Sequence, residues 1–482
     1  MDDTVIVGGG SAGCVLAARL SEDPSHRVRL LEAGPDYPEA SLPDGLRTLF
    51  RPVDWPHEWR HSVQAGGRAR HYKQGRGIGG GSSINGGVAL RAEPDDFRDW
   101  PAGWGWDGVL PFFRALETDH DFPAADWHGD AGPIPVRRWP QEHWVPVQQR
   151  FHAGCRVLGF DDCADHNAPG ATGVGAIPMN RVGLERISAA RAYLEPARKR
   201  PNLSVEGEAL VRRVCFEGGQ AVGVELHDGR RLPAGRVVVT SGVLQTPTLL
   251  WRSGVGPAEA LGALGVPVVA AAPVGERLTD HFVVNVRIPM LREHHTKGAP
   301  ALQTFLRTTA PGSARRNDLN LTPFVEREPG GYALMVSVSL QLPVGAGRVR
   351  EAGRSAGEGG DVDFPFAEVA ENCRRVREGL RLAWQIGKAS ELARDPAALD
   401  RELDRSDADL DAHVREAHGP FFHGVGTCGM GDERAVADPT GAVRGVSGLY
   451  VADASVIPKV PRTNTNLVVM AVAEKIAAGL VG

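Results

Sequence analysis

The distribution of apolar residues predicts an α/β fold that starts almost at the first residue. Three consecutive apolar residues, 5–7, precede three glycines and an alanine-rich segment. This order predicts a short buried strand, a tight turn and a helix. Residues 28–31 and 236–240 have the largely apolar character of strands buried in a parallel sheet. We therefore expect distant segments to complete the first sheet.

The middle of the chain predicts helices and antiparallel strands. Residues 332–342 alternate enough to form a long strand, and residues 369–386 are strongly helical. The pair Asp228-Gly229 is a hairpin signal within a meander of short strands. The other predicted helices cover residues 109–116, 151–158, 188–197, 244–252 and 467–480, and the other strands cover 132–136, 202–205, 210–216, 221–226, 231–232 and 449–452.

Composition excludes several classes of protein. The 482 residues allow two or three domains, and 42% apolar with 23% charged residues is ordinary for a soluble enzyme. A net charge of -5 without a basic run argues against nucleic acid or a membrane surface as partner. The six cysteines show no CxxC pair and no zinc spacing, so no metal site is expected. No signal peptide precedes the first strand and no apolar run approaches the ~20 residues of a membrane span, which predicts a cytoplasmic protein.

The first turn carries a dinucleotide-binding fingerprint. Gly8 permits the tight turn, Gly10 lets the backbone approach a pyrophosphate, and Gly13 lets the helix pack on the strand. Glu32 follows Gly13 by 19 residues, the spacing of an acid that accepts from a ribose hydroxyl and repels a 2′-phosphate. A turn that binds nothing is the simpler alternative, and it is disfavoured by the strand, the helix and the acid together. The fingerprint alone does not distinguish NAD from FAD.

A second glycine-rich segment covers residues 75–87. A flexible linker is one interpretation. Arg76, Ile78, Ile84 and Asn85 interrupt the low complexity, however, and an apolar segment follows at once. The segment therefore indicates a loop whose backbone closely approaches a flat or anionic ligand.

The C-terminal part supplies polar residues at positions typical of ligand sites. Asp453 ends a predicted parallel strand, and residues 457–466 form a polar loop that enters the last helix. The C-terminus is therefore expected to return to the dinucleotide site. From the residues alone, His423 between aromatic residues and glycine is more often a core histidine than a base. Asn464 alone would be interpreted as a helix N-cap.

In this order the motifs resemble the glucose–methanol–choline (GMC) oxidoreductases, a family of FAD enzymes, over nearly the whole chain. The resemblance rests on Gly8-x-Gly10-x-x-Gly13 with Glu32, the loop 75–85, Thr246-Pro247 with residues 253–256, Asp280-His281 after Val274-Gly275, His423-x-x-Gly426-Thr427, and residues 451–455 followed by Asn464-Thr465-Asn466.

The resemblance implies a Rossmann-like FAD-binding domain plus an α+β substrate domain with a mostly antiparallel sheet backed by helices. Residues 1–290 would form the FAD-binding domain, with insertions from the substrate domain near 130–200. Residues 291–420 would bind the substrate, and residues 421–482 would complete the FAD site and the active site.

The resemblance also implies the cofactor contacts. Those expected are Gly8, Gly10, Ser11, Ala12, Gly13, Glu32, Ala33, Arg76, Gly79, Gly80, Ser83, Asn85, Gly86, Gly87, Val211, Ser241, Asp453, Ala454, Asn464, Thr465 and Asn466. Ile84 occupies the position at which some relatives carry a histidine that binds FAD covalently. Because isoleucine has no nucleophile, non-covalent FAD is expected.

The chemistry implied is oxidation of a primary or secondary alcohol. His423 would accept the hydroxyl proton and Asn464 would orient the oxygen, while His281 is interpreted as a structural residue. The implied partners are a small alcohol and an electron acceptor, which would be O2, a quinone or a respiratory carrier. The short chain and the compact segment 290–370 resemble bacterial members, among them furfuryl-alcohol-type oxidases and mycofactocin-linked dehydrogenases, and residues 117–138 favour a dehydrogenase. A redox-neutral lyase of the hydroxynitrile type and a non-catalytic flavoprotein are the alternatives.

Overall fold

The computed structural model describes residues 2–49, 58–65, 68–350 and 360–481. The strands are β1 (Asp2–Val7), β2 (Val28–Leu31), β3 (Glu58–Ala65), β4 (Arg68–Gly75), β5 (Glu117–Asp119), β6 (Ile134–Val136), β7 (Gly173–Ala176), β8 (Arg181–Val182), β9 (Glu185–Arg186), β10 (Leu203–Glu206), β11 (Val211–Glu217), β12 (Gln220–Leu226), β13 (Arg231–Val239), β14 (Val255–Gly256), β15 (Ala270–Ala271), β16 (Phe282–Met290), β17 (Thr304–Thr308), β18 (Leu319–Glu328), β19 (Gly331–Leu340), β20 (Arg348–Arg350), β21 (Asp361–Asp363), β22 (Gly419–Pro420) and β23 (Leu449–Val451).

The α-helices are α1 (Ser11–Leu20), α2 (Asp44–Arg47), α3 (Gly81–Ile84), α4 (Trp106–Leu116), α5 (Pro146–Val157), α6 (Glu195–Ala197), α7 (Gln245–Arg252), α8 (Ala258–Leu264), α9 (Ala370–Ala389), α10 (Pro396–Leu403), α11 (Asp407–Ala417) and α12 (Asn466–Val481). A π-helical turn, Ala190–Leu194, runs into α6, so the helix predicted at 188–197 is present but irregular. Short 3₁₀ turns cover Glu39–Ser41, Pro94–Phe97, Gln141–His143, Arg292–His294, Pro365–Glu368 and Ala454–Val456.

The first sheet brings together strands that are distant in the sequence. Its order is β10-β2-β1-β13-β12-β11, and β23 also pairs with β13. Val7 pairs in parallel with Leu31 on one side and with Val239 on the other, and Val239 pairs with Val451. The carboxyl ends of β2, β1, β13 and β23 therefore meet at one edge, where sheets of this kind bind ligands.

The prediction of separate strands at 231–232 and 236–240 is wrong, because β13 is continuous. Its first residues pair antiparallel with β12, and its last residues pair in parallel with β1 and β23. Pro233 and Gly235 are residue types that often interrupt a strand. The backbone nevertheless stays extended, because β13 stops pairing with β12 at this point and continues beside β1 and β23. A Cβ on Gly235 would lie 3.0 Å from the carbonyl oxygen of Asp3.

The second sheet is antiparallel, in the order β22-β16-β19-β18-β17-β7. Helix α9 packs on β16, β18 and β19, and α5 packs on β7, β17 and β18. This confirms the predicted antiparallel sheet backed by helices. Strand β19 is buried along most of its length rather than at alternate residues, because α9 covers one face and a cavity lies against the other. The sheet takes β7 and β16 from before residue 290 and β17 to β19 from after it.

The C-terminal helix fixes one side of that cavity. Helix α12 packs against α1 and α4, and the Arg19 guanidinium donates to both carboxylate oxygens of Glu474 at 2.8 and 3.0 Å. The starts of α1 and α12 therefore lie side by side, and Ser11 Oγ donates to Asn466 Oδ1 at 3.0 Å. Within the described ranges, no helix has the length and apolar character needed to cross a membrane.

Candidate functional site

A cavity of about 580 Å³ extends from the glycine turn of the first sheet to the antiparallel sheet. This volume is within the usual range for cofactor and ligand sites. The predicted site residues that line it are Gly8, Gly10, Ser11, Ala12, Glu32, Ala33, Gly80, Asn85, Gly86, Val211, Ser241, His423, Asp453, Ala454, Asn464, Thr465 and Asn466.

Five predicted residues lie behind the cavity wall rather than on it, namely Gly13, Arg76, Gly79, Ser83 and Gly87. Their interactions support the wall. A Cβ on Gly13 would come within 2.0 Å of the Gly8 carbonyl oxygen, so helix α1 can pack on β1 only with glycine there. Arg76 Nη2 donates to the Ala33 carbonyl at 3.0 Å and joins the second glycine-rich segment to the residues that follow β2. These residues shape the site without reaching the cavity.

One end of the cavity has the donors that a diphosphate requires. Gly10 caps α1 with φ -72° and ψ -164° and no capping side chain, so the first N–H groups of the helix are left for a ligand. The start of α12 lies beside it. Among the described residues, Asn466 Nδ2 and Gln245 Nε2 are buried without a hydrogen-bond acceptor, and both side chains line the cavity. Helix starts and unpaired donors together favour an anionic group.

Glu32 lies where the ribose is expected. Its two carboxylate oxygens accept from the backbone N–H groups of Gly9 at 2.7 Å and Gly34 at 2.9 Å. Burial raises the pKa of this carboxyl above its usual value. Each oxygen keeps a further lone pair, and Val211 lines the same cavity. An adenosine with a free 2′-hydroxyl matches this arrangement, and a 2′-phosphate does not.

The same cavity presents His423 and Asn464. His423 Nε2 and Asn464 Nδ2 are 3.0 Å apart. The backbone N–H of His423 donates to Asp280 Oδ1 at 2.9 Å, and that of Gly424 donates to Tyr72 Oη at 2.9 Å. The preceding residue, Phe422, has φ 62°, a left-handed conformation that is rare for a bulky side chain. The turn that presents the imidazole is thus held from both sides.

The His423 ring is a neutral base at pH 7. Burial, followed by the neighbouring His281, lowers the pKa of His423 well below its ordinary value. The neutral imidazole has one nitrogen lone pair that can accept a proton. Protonation would remove this lone pair, but only at a pH well below the ordinary pKa of a free imidazole.

Asp280 carries a proton at neutral pH, which gives a testable pH dependence. Burial raises the pKa of Asp280 from 3.8 to about 8. Between these values the unfolded chain ionises while the folded protein keeps the proton, so the free energy of unfolding falls as pH rises. We expect Asp280→Asn, which does not titrate, to remove this part of the dependence. Thermal unfolding midpoints of the FAD-bound protein between pH 5 and 8 measure it, and parallel curves for the two proteins would contradict it.

The antiparallel sheet gives the cavity a polar, uncharged wall that the sequence analysis did not identify. Asn320, Thr322, Ser337, Ser339 and Gln341 all line the cavity. The charged residues that line it are Glu32, Lys73, Arg252 and Asp453, and none of them belongs to this sheet. The alternation of polar with apolar residues in 319–322 is the signal that could have indicated this wall.

Asn320 has the most available group on this wall. Among the described residues, its Oδ1 is buried without a donor. By contrast, Ser337 Oγ donates to Asn285 Oδ1 at 2.7 Å, and Gln341 Nε2 donates to Ser339 Oγ at 2.8 Å. A substrate that donates a hydrogen bond to Asn320 would satisfy this oxygen.

A second polar cluster, away from the cavity, is structural. Glu117, Asp119 and His128 have potential metal-ligand atoms within 4.8 Å of one another. The guanidinium of Arg91 pairs with Glu117, and Arg138 Nη1 lies 2.9 Å from Asp119 Oδ2. Because these arginines form ion pairs with the carboxylates, we assign the cluster to a buried ion-pair network.

Two family models, both described as GMC oxidoreductase, match residues 2–283 and 343–473. The chain belongs to the GMC oxidoreductase family. It is similar to 5-(hydroxymethyl)furfural oxidase of Methylovorus, with 36% identity over 98% of each chain. It is also similar to mitochondrial choline dehydrogenase of Mus musculus, with 33% identity over 98% of this chain and 88% of the relative. The crystal structure of pyridoxine 4-oxidase from Mesorbium loti superposes with a TM-score of 0.88, at 30% identity over 99% of both chains.

The family uses FAD, and the cavity fits it. The helix starts and unpaired donors suit the diphosphate, Glu32 suits the ribose, and the glycine-rich loop 75–87 contributes to the wall. This GMC oxidoreductase is therefore an FAD-dependent enzyme. The individual contacts assigned to FAD stay predictions.

Proposed function

We propose that this protein oxidises the hydroxyl group of a small, uncharged primary or secondary alcohol to the carbonyl. The observation that carries the proposal is the pair formed by His423 Nε2 and Asn464 Nδ2, 3.0 Å apart, in the wall of a cavity that also has the donors suited to the FAD diphosphate. A base and a donor at one point are what removal of a hydroxyl proton requires.

The residues divide the work as follows. His423 Nε2 accepts the hydroxyl proton, and Asn464 Nδ2 donates to the same oxygen while negative charge develops on it. When bound, FAD accepts the hydride that leaves the carbinol carbon. The alcohol thus loses one proton and one hydride. The Phe421 ring packs edge-on against the His423 ring, with centroids 4.9 Å apart, and limits its rotation.

The uncharged wall supports a neutral substrate. A quaternary ammonium group would be held best by aromatic rings together with an acidic side chain, and a carboxylate would need a cation. Aromatic rings line the cavity, among them Phe324 of β18, but the wall of β18 and β19 offers neither an acidic nor a basic side chain. The similarity to 5-(hydroxymethyl)furfural oxidase supports a small neutral alcohol, and the similarity to choline dehydrogenase supports a cationic one. Because of the uncharged wall, we give the first similarity more weight.

Substitution of Asn320 tests the proposal that the uncharged wall binds the substrate. We expect Asn320→Ala to raise KM for the best alcohol about 10-fold, since it removes one hydrogen bond worth about 1–1.5 kcal/mol, and to leave kcat within a factor of about 3. Steady-state kinetics measure both constants. Ser337→Ala is the matched control, because its hydroxyl already binds Asn285. An unchanged KM for Asn320→Ala would assign the wall no part in recognition.

An anaerobic alcohol panel tests the reaction itself. We expect a neutral alcohol to bleach the flavin absorbance, with the corresponding aldehyde or ketone as product. Re-oxidation by O2 or by a quinone then distinguishes an oxidase from a dehydrogenase, and we propose the dehydrogenase on the character of residues 117–138. If no alcohol reduces the flavin while a cyanohydrin is cleaved, the lyase alternative is correct. If neither reaction occurs, the non-catalytic alternative is favoured.

FAD is expected to be held without a covalent bond. Ile84 lines the cavity in α3 and offers no nucleophile. After denaturation and ultrafiltration, all the yellow colour is expected in the filtrate. Colour retained with the polypeptide would mean that another residue forms the bond.

A further inference from the structure

We propose that His281 is a positioning residue that fixes the tautomer of His423, so that the lone pair of its Nε2 faces the cavity. The inference rests on the proposed role of His423 as base. The sequence around His281 indicates only a structural role. The structure places its Nδ1 3.0 Å from His423 Nδ1, although the two residues are 142 positions apart.

His423, His281 and Pro461 form a chain of hydrogen bonds, and the donor and acceptor are fixed at its Pro461 end. His281 Nε2 lies 2.7 Å from the carbonyl oxygen of Pro461. A backbone carbonyl only accepts, so the proton between them belongs to His281 Nε2. A lone pair on this nitrogen would face the oxygen lone pairs at a distance that only a hydrogen bond tolerates.

His281 has only this one ring proton. The residue is fully buried, and burial lowers the pKa of His281 to about 4. A neutral imidazole protonated on Nε2 carries its lone pair on Nδ1. The atom opposite that lone pair is His423 Nδ1, which must therefore donate.

The tautomer of His423 follows. With the proton on Nδ1, its Nε2 carries the lone pair, which accepts from Asn464 Nδ2 at 3.0 Å. When a substrate hydroxyl replaces Asn464 Nδ2 as the donor, the same lone pair accepts the hydroxyl proton. The opposite tautomer would leave two buried lone pairs facing each other between the rings, at a cost of about 1–3 kcal/mol.

The main chain around the pair holds the rings in this geometry. Phe421 N donates to the His281 carbonyl at 3.1 Å, and Asp280 Oδ1 accepts from His423 N at 2.9 Å. The two rings meet edge to face, with centroids 5.1 Å apart and an interplanar angle of 77°. When His423 gains the substrate proton, its Nδ1–H still donates to His281, so the imidazolium keeps a partner.

Two variants separate this role from simple packing. His281→Leu fills the space but offers no acceptor, whereas His281→Asn places an amide oxygen near the position of Nδ1. We expect His281→Leu to lower the rate of anaerobic flavin reduction about 10- to 100-fold, with KM and the bound-flavin spectrum little changed. His281→Asn is expected to restore the rate to within about 5-fold of wild type.

Nitrogen-15 NMR of the histidine-labelled, FAD-bound protein gives a readout that does not depend on turnover. The His423 signals, assigned by their loss in His423→Gln, are expected to show a protonated Nδ1 and an unprotonated Nε2. In His281→Leu we expect a mixture of tautomers. A protonated Nε2 in wild type, or equal rate losses in both variants with an unchanged tautomer, would overturn the proposal. If no alcohol reduces the wild-type flavin, the proposed function fails, and the NMR result still decides the tautomer.

Discussion

His423→Ala is expected to reduce the rate of flavin reduction by alcohol about 10²- to 10⁴-fold, the usual contribution of a positioned general base. The imidazole is the titratable side chain within hydrogen-bonding distance of Asn464 in the described site. The residues expected to hold the FAD diphosphate are different ones, at the starts of α1 and α12. FAD content should therefore stay at the wild-type level. Anaerobic stopped-flow spectroscopy measures the rate constant directly and separates it from re-oxidation.

The matched control is His423→Gln. Glutamine keeps polar atoms near both partners of the ring, namely Asn464 and His281, but it has no basic nitrogen. Equal losses in the two variants assign the effect to proton acceptance. A large loss in His423→Ala alone assigns it to the shape of the turn. If both variants reduce their flavin within a factor of ten of wild type, His423 is not the base, and the lyase and binding alternatives gain support.

Much of the parallel sheet was predictable because its signals are local. The apolar runs at 5–7 and 28–31 form β1 and β2, and the glycine spacing specifies the turn between β1 and α1. The wrong prediction at β13 also arises from reliance on local signals. A strand that exchanges an antiparallel neighbour for a parallel one carries no local sign of continuity, so the sequence predicts separate strands at 231–232 and 236–240.

The polar parts of the site were harder to predict, since they depend on contacts between distant segments. His423 and Asn464 came from the family resemblance rather than from their surroundings. Tyr72, which accepts from Gly424 N across 352 positions, gave no sign of that role in its own sequence context. The position of His281 against the base likewise appears only when β16 and the 421–424 turn are placed together. Spacing identifies motifs, but it does not show which ring nitrogens face each other.

The second large effect, on FAD affinity, is expected when one methyl group is added at Gly10. In Gly10→Ala the new Cβ would have one protein neighbour within 4 Å, the Thr240 carbonyl oxygen at 3.9 Å. Its φ of -72° is acceptable for alanine. The fold should therefore persist, while the methyl group occupies space that the diphosphate needs. By the usual cost of overpacking, about 1–3 kcal/mol, FAD should bind about 5- to 150-fold more weakly.

Titration of the apoprotein with FAD, followed by flavin fluorescence, measures this loss, and circular dichroism shows whether the fold is kept. Gly479→Ala is the control, because this glycine lies in α12 with nothing within 4 Å of a new Cβ. It makes the same chemical change away from the cavity and should bind FAD like wild type. Gly13→Ala separates the two uses of glycine in one turn, because its Cβ would meet the Gly8 carbonyl at 2.0 Å and should lower stability as well as affinity. Wild-type affinity in Gly10→Ala would mean that the diphosphate does not approach this backbone, and it would move the cofactor away from the start of α1.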